Sequence, residues 1–400
     1  MLTWTTGLIL GSCGALAQAA PAIDPPTETP VTWYLIPNSS FDTDDGLGFG
    51  FRGELQHTDP DLSPYRDAWV LQGFSTLRGY HNYLLRYERL GLGTQGNGRI
   101  TAMAAYRAWT NDQYYGLGGD LPLDPDYIRD FDADDLRRKR HRYTLIQPHV
   151  RLTWLSDIPG PLRLFASSGL RLSQVRTYED SLLEEQQPFG MAGGWNWQLQ
   201  AGVQLDTRDR EIDPRSGLLL EVSGRYNPPI PGGAGVFGGP ASSLRGYFPL
   251  GERGVLAARL MGEALFGQIP FYELNQWGGA AQTVGFGGYM SLRGIRYGRY
   301  RAPGKAMLNT ELRIDAARHN LGGKPFVWQL VPFVDLGTVF LDGSGTPPLH
   351  MALGVGLRPI YDQAFVGRMD LGFGREFVQT DSGVQVTWTP GFYLTYEHLF

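Results

Sequence analysis

The amino-acid sequence predicts an all-β protein: a 16-stranded antiparallel transmembrane β-barrel of the outer membrane with a long inward-folded loop. Three observations carry this. From Trp33 to Phe400, segments of roughly nine to fourteen residues alternate apolar and polar side chains. The connections between them alternate short and long, as periplasmic turns and outer loops do in outer-membrane barrels. The faces opposite the apolar ones carry charges of both signs, among them Arg86, Glu88, Arg151, Arg163, Arg171, Glu221, Arg225, Arg245, Glu263, Arg368 and Asp370. A soluble sandwich would also alternate, but it would bury its apolar faces between two sheets. Aromatic residues clustered near segment ends, as in membrane girdles, favour the barrel.

Composition agrees. A chain of 400 residues can make several small domains or one large barrel; 54 glycines, 12% aromatic and only 19% charged residues favour the barrel. One cysteine excludes a disulfide scaffold. A net charge of −5 gives no basic excess for nucleic acid, so no nucleic-acid partner is expected. Beyond the first twenty positions no apolar run reaches the roughly 18 residues of a membrane helix.

The chain begins with an expected signal peptide, residues 1–19. Leu2 to Ala19 is apolar and ends Ala17-Gln18-Ala19, although no Lys or Arg lies near Met1. Cys13 loosely fits a lipoprotein cleavage box but reads more simply as a signal-peptide cysteine. Residues 20–31 (APAIDPPTETPV) are a Pro-rich periplasmic lead-in, and 32–400 form the barrel.

Sixteen strands follow at 32–39, 46–57, 67–76, 82–91, 98–110, 142–156, 161–175, 194–206, 216–227, 241–250, 254–267, 306–316, 325–341, 350–360, 364–376 and 385–400. In the sixth, Ile146, Val150 and Leu152 oppose Gln147, His149 and Arg151. In the eighth, Trp195, Trp197, Leu199, Ala201, Val203 and Leu205 alternate with Asn196, Gln198, Gln200, Gly202, Gln204 and Asp206. In the twelfth, Leu308, Thr310, Leu312 and Ile314 alternate with Met307, Asn309, Glu311 and Arg313. In the thirteenth, Phe326, Trp328, Leu330, Val334 and Leu336 oppose Gln329, Phe333 and Asp335. The sixteenth puts Phe392, Leu394, Tyr396, His398 and Phe400 on one face. A strand of this kind ending in Phe is what the barrel-assembly machinery recognises, so that machinery is an expected partner during biogenesis. Long connections follow strands five, seven and eleven (111–141, 176–193 and 268–305). This parity puts the N-terminus in the periplasm.

The longest loop holds Gly285 to Arg301, a Gly-rich stretch with Arg293, Arg296, Arg299 and Arg301. Here the sequence resembles the superfamily of BamA, TamA and the two-partner secretion transporters, the bacterial surface antigen family. Five blocks carry the resemblance: Gly278-Gly279, Ser291-Leu292-Arg293-Gly294, Asn309-Thr310-Glu311-Leu312-Arg313, Phe333-Val334-Asp335-Leu336-Gly337-Thr338-Val339-Phe340 and Gly354-Val355-Gly356-Leu357-Arg358. Asp206-Thr207-Arg208-Asp209, with Pro214 and Gly217, looks like the family's central turn, and Tyr114-Tyr115-Gly116-Leu117-Gly118 like a block of its short members. The resemblance spans most of 45–400. It implies a loop tucked into the barrel, with Leu292, Arg293 and Gly294 at its tip and Glu311 and Asp335 as lumen partners of Arg293. Parity independently puts both acids on the lumen face. Leu77-Arg78-Gly79-Tyr80 and Leu244-Arg245-Gly246-Tyr247 match the tip motif more closely. The first, however, lies in a short connection and the second within a strand. Ile295 stands where the family usually has an aromatic.

Family members that insert or secrete proteins carry periplasmic POTRA domains before the barrel. Only a short lead-in precedes the first strand here, so the expectation is a barrel-only member. Its expected role is in outer-membrane protein or lipid assembly or transport; the alternative is a plugged channel or structural surface protein, and the remote one a barrel enzyme. No Gly-x-Ser-x-Gly, His-Glu-x-x-His or Cys-x-x-Cys pattern occurs, so no catalytic residue, metal or cofactor is expected. His57 with Asp59 and Asp61 reads as a solvated turn. The run Arg137, Arg138, Lys139, Arg140 and Arg142 could meet lipopolysaccharide phosphates, for which guanidinium geometry is suited. Outer-membrane lipids complete the expected partners of a monomeric barrel.

Overall fold

Strands that begin where apolar and polar residues start to alternate run antiparallel in chain order until the last meets the first. The computed structural model describes residues 31–400 apart from 60–61, 94–95, 120–121, 124–138, 159, 281–282, 342–346, 363–364 and 397. The signal peptide and most of the lead-in lie outside the described residues. We number the spanning strands β1 (Val31–Asp42), β2 (Gly46–Asp59), β3 (Leu62–Thr76), β4 (Tyr80–Leu92), β5 (Gly98–Gln113), β6 (Arg142–Asp157), β7 (Leu162–Thr177) and β8 (Gly194–Asp206). The second half comprises β9 (Gly217–Asn227), β10 (Phe237–Leu250), β11 (Gly254–Ala264), β12 (Gly304–Leu321), β13 (Lys324–Phe340), β14 (His350–Tyr361), β15 (Phe365–Thr380) and β16 (Gly383–Tyr396). The result is a closed sixteen-stranded barrel.

The period-2 pattern sorts side chains to the two faces as the pleat requires. On β8, Trp195, Trp197 and Val203 are exposed outward, while Asn196 and Gln200 are buried inward. On β7, Leu162, Leu164 and Leu170 face out and Ser167, Arg171 and Ser173 face in. No helix among the described residues is long and apolar enough to cross a membrane. One rim carries the long connections 114–141, 178–193 and 268–303, and the other has tight ones such as 251–253 and 322–323. A short helix, α1 (Leu182–Gln186), is capped by the Ser181 side chain.

Two departures from the sequence expectation matter. The eleventh strand ends at Ala264. Leu265 turns inward, its N–H donating to Pro303 O at 3.0 Å, and Phe266–Gly267 then pairs with β10. The last strand ends at Tyr396, so Phe400 and His398 do not share the outward face of Phe392, Leu394 and Tyr396. Phe400 instead turns into the lumen beside Tyr247. Its ring lies 5.2 Å from the Arg259 guanidinium and 5.4 Å from that of Arg313. Arg259 donates to Leu399 O at 3.2 Å and Arg313 to Phe400 O at 3.0 Å. Alternation cannot register this competition, in which desolvated cations draw an aromatic ring off the end of a strand.

The two faces should answer differently to charge. Arginine at Leu152, on the outer face of β6, is expected to cost about 2–4 kcal/mol in a bilayer. Thr153→Arg on the lumen face should cost less. Denaturant unfolding in lipid vesicles measures both, and equal costs would contradict the assigned faces.

Candidate functional site

The inward loop, 268–303, fills the lumen because its sequence supplies both a core and a charged tip. Trp277, Phe286, Leu292, Ile295, Tyr300 and Ala302 cluster with wall residues such as Met261, Met307, Val339 and Ala352. Ile295 is fully buried in this cluster, so an aliphatic fills the place of the family's aromatic. Two short strands, Gln276–Trp277 and Thr283–Val284, pair within the loop.

The tip is seated by geometry that only glycine permits. Gly294 has φ +101, and a Cβ there would lie 2.5 Å from Gly374 N. The facing wall is bare as well: a Cβ on Gly372 would lie 2.5 Å from Arg293 O, and one on Gly374 2.5 Å from Gly294 C. Backbone therefore rests on backbone, which brings Arg293 to the inner wall.

Arg293 is fully buried and donates from all three guanidinium nitrogens. Nε and Nη2 donate to Asp335 Oδ2 and Oδ1, both at 2.9 Å, and Nη1 donates to Glu311 Oε1 at 2.8 Å and to Asp370 Oδ2 at 3.3 Å. The Arg293 backbone N–H adds a bond to Asp335 Oδ2 at 3.1 Å. Below the guanidinium, the Phe333 ring centroid lies 3.4 Å away. Both acids expected as partners thus meet Arg293, together with Asp370 and Phe333. Asp370 and Phe333 were legible as lumen-facing positions. That they reach the same guanidinium depends on strand register, which sequence does not give.

The acids are shared. Arg313 donates to Glu311 Oε2 at 3.0 Å, Arg358 lies 3.4 Å from Glu311 and 2.7 Å from Asp370, and Arg368 lies 3.6 Å from Asp370. Asn309 bridges the loop and the wall, donating to Ser291 O at 2.6 Å and Asp335 Oδ1 at 2.8 Å. Nearer the outer rim, Arg296 pairs with Glu376, and Arg301 donates to Gln113 O at 2.6 Å and Phe271 O at 3.2 Å. Glu263 meets Arg225 at 2.9 Å and Lys305 at 2.6 Å. Above the loop, the described start of the connection after β5 meets loop and wall, with Gly118 N donating to Arg301 O and Leu123 bonded to Phe377 and Gln379.

At the other mouth the tail closes in. His398 Nε2 lies 3.0 Å from Asp213 Oδ1. Burial, and then the nearby Arg313 guanidinium, hold the His398 imidazole down at about 4, so it is neutral near pH 7. Burial pushes the Asp213 carboxyl up, but the His398 hydrogen bond and neighbouring cations outweigh it and keep it below its usual range.

Other expected residues find local partners. Arg78 donates to Thr43 O at 2.6 Å, and Arg245 stays within β10 opposite Arg259. His57 bonds Asp67 at 2.7 Å. Of the basic run, Arg137 and Arg138 lie outside the described residues. Lys139 sits 5.7 Å over the Tyr178 ring, Arg140 pairs with Glu185, and Arg142 donates to Asn111 O at 2.7 Å.

The Omp85 superfamily domain matches residues 169–392, more than half of the chain. Among solved structures, BamA from Haemophilus ducreyi lacking POTRA domains 1–3 is similar at a TM-score of 0.60 and 14% identity, over 92% of this chain and 70% of that one. CdiB from Escherichia coli gives 0.55 at 14% identity, over 90% and 62%. CdiB from Acinetobacter baumannii gives 0.50 at 13%, over 91% and 59%. The chain therefore spans about three-fifths of either CdiB. At these identities the likeness is one of fold. No curated protein matches in sequence.

Two outcomes follow from the buried charges. Asp335→Arg should destabilise the barrel by about 3–5 kcal/mol in denaturant unfolding. Adding Arg293→Asp should restore part of that, since one pair is rebuilt while Glu311 and Asp370 lose their arginine. Full additivity would contradict the pairing. As for the tail, His398 binds its proton less readily docked than free. Docking is therefore strongest above 6.5 and weakens as pH falls towards about 4. A 19F label at Phe400 should shift across that window, and an invariant spectrum would contradict the docking.

Proposed function

The chain belongs to the Omp85 superfamily, and from that premise we propose that it is an outer-membrane barrel acting in assembly or transport through its seam. The observation that carries this is the β1–β16 junction. Among the described residues these strands pair only at Phe41–Leu394 and Asp42–Tyr393, whereas β1 pairs with β2 along its whole length. Two side-chain contacts supplement the junction: Ser39 N donates to the Tyr396 hydroxyl at 3.3 Å, and the Phe41 and Phe392 ring centroids lie 5.9 Å apart.

Below Phe41, the edge of β1 that faces β16 has no ladder partner among the described residues. Trp33, Leu35 and Ile36 on this strand are exposed, Trp33 at 72%. An edge strand with unpaired N–H and C=O groups is a template for another extended chain. An added strand would gain main-chain hydrogen bonds there, and alternate side chains would set its register. Among the described residues the lumen offers no comparable route, since the loop, its ion pairs and the tail occupy it.

The alternative is a channel in which loop 268–303 is the plug, and the same Arg293 contacts favour it. The two diverge in measurement. A Phe41→Cys/Leu394→Cys disulfide should abolish the cellular role while oxidised and restore it on reduction, leaving the fold intact. Wild-type performance by the oxidised form would contradict the seam. In planar bilayers the plugged channel predicts that Arg293→Ala raises conductance or makes it erratic. The seam reading predicts that neither protein conducts appreciably, and that depletion perturbs assembly of other outer-membrane proteins.

A further inference from the structure

β1 has few bonds to β16, yet its outer end is firmly held by the turn that follows it. That turn is Asp42-Thr43-Asp44-Asp45, and three aspartates within four residues would ordinarily sit in water. Here they turn over the barrel mouth. Asp45 is 7% exposed, and its Oδ1 accepts the Trp109 indole N–H at 2.6 Å. The Trp109 ring lies 4.4 Å from the Tyr297 ring of the inward loop and 4.9 Å from Tyr80. Asp44 Oδ1 accepts the backbone N–H of Tyr297 at 3.2 Å. Asp42 closes the turn by accepting the Asp45 N–H at 2.5 Å, and Arg78 grips its carbonyls at Thr43 and Asp44.

The same region meets the loop tip. Tyr393, the β16 partner of Asp42, accepts the Gly294 N–H at 2.9 Å through its hydroxyl. Tyr393 on β16 and the turn that follows β1 are therefore both fastened to the inward loop. A buried carboxylate is costly unless its donors are in place. The turn can hold this position only while Trp109 and Tyr297 hold theirs. A cavity of about 210 Å³ lined by Asp42, Asp45, Trp109, Tyr297 and Tyr393, among others, adjoins the turn and gives it room to move.

We propose that Asp44 and Asp45 are positioning residues that latch β1 to the inward loop, so that β1 parts from β16 only when this latch releases. The inference rests on the seam reading above and adds to it the element that controls opening.

Spin labels at Leu35→Cys and Phe392→Cys, in a Cys13→Ser background and in lipid vesicles, report the separation of the two strands. The double variant Asp44→Ala/Asp45→Ala should raise the population at long distances about tenfold or more, as expected from losing the two hydrogen bonds that these carboxyls accept from Trp109 and Tyr297. Trp109→Phe keeps an aromatic ring in place but removes the indole donor, and it should move the distribution the same way. Far-UV circular dichroism and heat-modifiable gel mobility identify variants that have kept the barrel. Arg293→Ala serves as the control, since freeing the loop tip should also release the seam. If Arg293→Ala separates the strands and neither latch variant does, the latch is overturned and the seam reading stands. If no variant separates them, the seam reading itself fails.

Discussion

Arg293 reaches three carboxylates on three wall strands, Glu311 on β12, Asp335 on β13 and Asp370 on β15, while its guanidinium face lies on the Phe333 ring. A lysine could meet these groups only as a point charge, whereas the planar fork bonds Asp335 bidentately and still spans to the others. Most of the interior depends on this contact. The acids would repel one another if the loop withdrew, and Arg313, Arg358 and Arg368 would be left to redistribute among them. Removing one partner of a buried ion pair costs far more than the pair itself contributes. The loop is thus held by what its absence would expose as much as by what it binds.

Packing and charge work together here. The bare backbones of Gly372 and Gly374 let the tip approach, and Leu292 and Ile295 bury beside the charged cluster, excluding water from it. The tail repeats the scheme at the opposite mouth with Phe400 between Arg259 and Arg313. With the interior so occupied, the weakest part of the wall is the β1–β16 seam. The loop that blocks the lumen also touches β16 through Gly294 and the turn that follows β1 through Tyr297. The interior and the seam are consequently one mechanical unit.

Period-2 alternation was enough to read most strands and their faces, and it breaks only locally, as at the register shifts beside Asp112 on β5 and Asp315 on β12. The tip and two of its acids were legible because Arg293, Glu311 and Asp335 lie in motifs of short span. Asp370 was seen only as a wall charge, since its contact depends on where β15 falls opposite the loop. The end of β16 was misjudged: Phe392, Leu394, Tyr396 and Phe400 fall at one parity, and nothing local shows that two arginines far away in sequence draw Phe400 inward. The seam was invisible for the same reason. Which residues of the first and last strands pair is a property of closure, and no segment of the chain encodes it alone.

Native-state hydrogen exchange in lipid vesicles reads out whether the inward loop is locked to the wall. The Arg293 N–H donates to Asp335 and the Gly294 N–H to Tyr393, although both amides belong to a loop. If the loop is locked to the wall, these two amides exchange as slowly as the ladder amides of β13 and β15. Exchange as fast as that of the connection 187–193 would mean that the tip is not held, and the account would be wrong.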